Sequence, residues 1–92
     1  MQASYRSLPG WDLVDRGIQD LAQGSETAFA LLVSIGFTRL RLAGLEISRA
    51  IPDADHKLFL LLSRESGDDA HSRYNALLRR LVSFEQALEC AS

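Results

Sequence analysis

Residues 69–91 read DAHSRYNALLRRLVSFEQALECA, and their apolar positions decide the fold class. Ala70, Tyr74, Leu77, Leu81, Phe84, Leu88 and Ala91 follow one another at steps of four and three, the a/d spacing of three helical heptads. A long amphipathic helix is therefore predicted from about Asp69 to Cys90. Leu78 and Val82 widen its stripe on one flank, which calls for packing against more than one neighbour. Glu85 and Glu89 fall among its expected exposed positions.

The rest of the chain repeats the helical theme. Sixteen leucines, 11 alanines and 9 arginines stand against two prolines, and these three common residues are strong helix formers. A first helix should open near Pro9, whose fixed φ suits an initial turn, and stop at Gly24. Trp11, Val14, Ile18 and Leu21 form its apolar stripe, while Asp12, Arg16 and Asp20 lie at i, i+4 spacing elsewhere. Gly17 inside this helix costs about 1 kcal/mol relative to Ala, which is either simply tolerated or serves a close helix contact.

Ser25 is positioned to cap a second helix that Gly36 would end. Ala28, Leu31, Leu32 and Ile35 make one face, yet Phe29, Ala30 and Val33 lie opposite, so this helix is apolar nearly all round. The segment Phe37–Ala43, FTRLRLA, fits either a further short helix or a strand that alternates Arg39, Leu40, Arg41 and Leu42. A helix is expected, because a lone strand would find no pairing partner in the chain. Gly44–Pro52 then connects to a fourth helix, carrying Leu45, Ile47 and Ile51 inward. Asp53 or Asp55 should cap that helix, which runs to about Arg64 before Ser66 and Gly67 break it. Its Leu58, Phe59, Leu61 and Leu62 point one way and Leu60 the other.

The expected fold is all-α: a single compact helical bundle of four main helices plus one short helix, ending in the long C-terminal amphipathic helix. At 92 residues it makes one domain, 1–92, with a loosely ordered N-terminus over 1–8. A domain this small hides only about 60–65% of the surface its unfolded chain exposes, enough to enclose roughly one helix that is apolar on all sides. The second and fourth helices both ask for enclosure. Phe29, Val33, Leu60 and Val82 are accordingly expected to bind a partner, most simply a second copy in a two-fold homodimer, otherwise another protein. The competing expectation is that Gly44–Pro52 and the N-terminal segment with Tyr5 and Leu8 fold over those faces.

Chemistry is sparsely signalled. Asp53, Asp55 and His56 cluster in sequence, as do Asp68, Asp69 and His71, and both residue types serve metal or acid/base sites. Each cluster stands at the start of a helix, about 15 Å from the other at 1.5 Å per residue, so they should act as dipole-satisfying caps and not as a shared metal site. No serine lies in a nucleophile-elbow motif, Cys90 lies at the C-terminal end, and no Gly-rich phosphate loop is present. No catalysis, metal or cofactor is expected.

The net charge of −2 supplies no field for holding a polyanion. The second expectation is nonetheless a DNA- or RNA-binding regulator that reads through a helix-turn-helix-like segment, 28–45. Arg39 and Arg41 would lie on its reading helix, joined by Arg79 and Arg80 of the last helix as contacts to nucleic acid or an acidic partner. The arginine excess over the single Lys57 also follows from GC-rich coding. No apolar run approaches a membrane span, no signal-peptide pattern opens the chain, and one cysteine cannot form an internal disulfide. A cytoplasmic protein without a membrane role is expected.

Overall fold

Helix α1 (Trp11–Ala22) and helix α2 (Ala28–Ile35) approach so closely at Gly17 that a side chain there has no room. A Cβ on Gly17 would lie 2.4 Å from the carbonyl oxygen of Phe29 and 2.4 Å from Val33 Cγ2. The glycine thus serves a close helix contact, the second of its two sequence readings. The computed structural model describes residues 5–91. Of the N-terminal segment expected to be loose, residues 1–4 lie outside that range, while Tyr5–Ser7 form a 3₁₀ turn.

Thr27 explains where α2 begins. Its hydroxyl accepts from the Ala30 N–H at 3.2 Å and donates to Asp20 on α1, so one side chain caps α2 and ties it to the preceding helix. The cap is therefore Thr27, two residues beyond the expected Ser25. Gly24, at φ +78°, supplies the left-handed turn between the helices.

Helix α2 is the enclosed one. Ala30, Leu31, Leu32, Val33 and Ser34 are all buried, and α1, α4 and α5 surround it. After Gly36 the chain continues as α3 (Phe37–Leu42), settling the short segment as a helix held in the core by the fully buried Leu40. The connection to α4 (Ala54–Ser66) is irregular and buries Leu45, Ile47 and Ile51 as expected.

Ser34 fastens that connection. Its hydroxyl donates to the Ala30 carbonyl and accepts from the Ile51 N–H, each at 2.9 Å. Ser34→Ala should leave the Ile51 N–H without its partner in a buried site, at a cost of about 1–3 kcal/mol. Thermal unfolding followed by circular dichroism should show a midpoint lower by several degrees; an unchanged midpoint would mean that water replaces the bond.

Asp53 takes the N-cap position of α4 at φ +56°, but its side chain makes no capping hydrogen bond, so the capping role foreseen for it is not observed. At the other end a 3₁₀ turn, Gly67–Asp69, with Gly67 at φ +57°, folds α5 (Ala70–Ala91) back against α4. Phe59 of α4 meets His71 and Tyr74 of α5 edge-on, at 5.9 and 5.8 Å between ring centroids. The heptad stripe of α5 divides along its length. Ala70, Leu81, Phe84 and Leu88 are buried, Tyr74 and Leu77 are half-buried, and the surroundings of Ala91 lie outside the described side chains. Fully buried Phe84 packs against Trp11, where Gly10 at φ +91° lets the start of α1 pass close to the α5 backbone. The result is an all-α bundle of four main helices and one short one around one apolar cluster.

Candidate functional site

The four residues expected to meet a partner separate into core and surface. Val33 is fully buried, because Gly17 leaves its side chain a slot in α1; it cannot touch another molecule, and its assignment as a contact residue is corrected. Phe29 is half-buried beneath Arg16, whose guanidinium carbon stands 5.6 Å above the ring centre. Leu60 and Val82 remain 42% and 40% exposed.

Leu60 borders a concavity of about 260 Å³ between α2 and α4, with Leu31 and Leu61 beside it and an ion pair from Lys57 to Glu26, 3.9 Å, on its lining. Val82 lies one turn beyond half-buried Leu78 on the uncovered face of α5, where Asn75, Arg79 and Ser83 complete a shallow depression.

The most exposed large apolar side chain among the described residues is Leu42, at 84%. Sequence reasoning placed it with Leu40 among residues needing burial. On a helix these two stand about 200° apart, so packing against one side can cover only one of them. That signal was available once the segment was read as helical.

Glu85 reverses in the opposite sense. Expected on the exposed side of α5, it is 5% exposed, with Oε2 placed 2.5 Å from where a Cβ on Gly36 would sit. The absent side chain at the α2–α3 junction makes the space for the carboxylate. Burial pushes its carboxyl above the usual range; the Arg39 guanidinium pulls it down, and the neighbouring Glu89 charge pushes it up. Arg39 reaches Glu85 at 3.8 Å and Glu89 at 3.3 Å.

The arginines considered for nucleic acid are similarly divided. Arg39 is occupied by those two glutamates, Arg41 lies 5.5 Å from the Phe37 ring centre, and Arg80 pairs with Asp12 at 3.2 Å. Arg80 and Glu89 are nine residues apart, about half a turn around α5, so the Arg39 and Arg80 clusters occupy opposite sides of that helix. Arg79 lines an open groove of about 740 Å³ with Pro9, Asp12 and Arg80 at the start of α1.

The two Asp/His clusters stay at the two ends of α4, and among the described residues no group of three or more His, Cys, Asp or Glu is placed to hold a metal ion. No helix among the described residues is long and apolar enough to cross a membrane. Comparison with protein-family models, curated proteins and solved structures gives no match.

Proposed function

We propose that the protein is a small non-catalytic interaction module, a scaffold or regulatory subunit, that associates with a second copy of itself. The observation that carries this reading is the outward display of Leu42, Leu60 and Val82 on three helices whose other faces are anchored in the core. Covering such a side chain gains roughly 1.5–3 kcal/mol, and a two-fold contact uses each residue it includes twice. The reading places the protein in a reducing, cytoplasmic setting, where the single exposed thiol of Cys90 persists unpaired.

A nucleic-acid role has weaker support, because Arg39 and Arg80 already face carboxylates on opposite sides of α5.

Light scattering at micromolar concentration is the test. The wild type should have twice the 10.2 kDa chain mass, and the double change Leu60→Asp with Val82→Asp should restore the single-chain mass with helicity unchanged. A wild type that is already monomeric, or a double variant that still associates, overturns the proposed surface.

A further inference from the structure

Three charged groups meet where α2 passes into α3: Glu85 and Glu89 from α5, and Arg39 from α3. Two carboxylates share one guanidinium, and the more buried carboxylate is the one farther from it, 3.8 Å against 3.3 Å. Helix α3 has only six residues, too few to persist without its packing, and it is held by Leu40 in the core and Arg39 on the surface. A Cβ on Gly36 would meet Glu85 Oε2 at 2.5 Å and Leu81 Cδ1 at 3.2 Å, so the Gly36 side of the carboxylate is lined by uncharged groups.

We propose that this junction is a proton-sensitive seam, in which the neutral Glu85 acid holds α3 against α5 more tightly than its carboxylate does. Protonation leaves Arg39 and Glu89 as a balanced pair and removes a charge that is poorly solvated beside Gly36. No bond is made or broken apart from the O–H of Glu85, whose proton comes from solvent.

The direction follows from linkage. Glu85 binds its proton more tightly in the folded chain than in the unfolded one, so the stability gained on protonation is fully present below the unfolded-state value of about 4.3. It is lost as pH rises through the raised native value. Acidification from neutral pH should therefore firm the seam. Through Leu42 on the same short helix the seam also reaches the docking surface, a link that rests on the reading above.

Thermal unfolding from pH 4.5 to 7.5 on the wild type and on Glu85→Gln tests the seam without any partner. Glu85→Gln mimics the neutral acid, so its midpoint should exceed that of the wild type at pH 7.5, with the gap closing toward pH 4.5. Arg39→Gln should steepen the wild-type dependence, because it takes away the cation that supports the carboxylate. Amide exchange supplies the local readout: the Ala43, Gly44 and Leu45 N–H groups bond back into α3 and should be better protected in Glu85→Gln than in the wild type at pH 7.5. A gap that does not change with pH, or a Glu85→Gln chain less stable than the wild type at pH 7.5, overturns the proposal. Failure of self-association would leave these measurements unaffected.

Discussion

Gly17→Ala is expected to destabilise the protein by roughly 2 kcal/mol or more, although alanine is the better helix former. Propensity alone would raise stability by about 1 kcal/mol at a helix interior position. The added methyl group would meet the Phe29 carbonyl oxygen and Val33 Cγ2 at 2.4 Å, far inside contact distance. The Phe29 oxygen belongs to the α2 backbone, so rotation of a side chain cannot relieve that contact, and α1 and α2 must separate. Overpacking of this kind costs about 1–3 kcal/mol, more where the neighbour is rigid. Urea unfolding should show a lower midpoint with little change in slope, and Gly17→Val should be worse still. An alanine variant equal to or more stable than the wild type would show that the two helices are not in close contact.

Val33→Asp should leave the chain largely unfolded at neutral pH, whereas Leu60→Asp should leave each chain helical, its loss falling on association and not on the fold of the single chain. Val33 is completely enclosed, and an ionised carboxylate there would have neither water nor a cation. An unpaired buried charge costs several kcal/mol, a large part of the roughly 5–15 kcal/mol that holds a domain together. Leu60 is 42% exposed and its replacement keeps its charge in solvent. Circular dichroism at 222 nm reads both results directly. Helix content retained in Val33→Asp would return this residue to the surface and restore it as a partner contact.

These two residues also mark how far the sequence could be read. In α5, Leu81, Phe84 and Leu88 lie on a single stripe, and the structure buries all three. In α2 the apolar residues run all round, so the pattern had no preferred direction and could not say whether Val33 faced inward. The complementary clue lay in α1, where Gly17 opens the slot that Val33 enters, but a glycine carries no mark of which partner it admits. The candidate site was legible in part: Leu60 and Val82 are outward, Val33 is not, and Leu42 was missed. Glu85 was misplaced for a related reason. It adjoins the buried stripe on the helical wheel, yet only Gly36, 49 residues earlier in the chain, leaves space for its carboxylate.

Local periodicity, helix formers and turn residues were enough to determine an all-α chain of four main helices and one short one, and to locate the buried Leu81, Phe84 and Leu88 of α5; in α1 the expected stripe was met only in part, since Leu13 is buried with Val14 and Leu21 while Trp11 and Ile18 are half-buried. Tertiary structure alone decided that α2 is the helix to be enclosed, and it set the surroundings of Val33, Leu42 and Glu85. Helix formation depends on neighbours within one or two turns, which the sequence displays side by side. The direction of burial depends on which distant residue leaves room, and that is settled only when the helices pack.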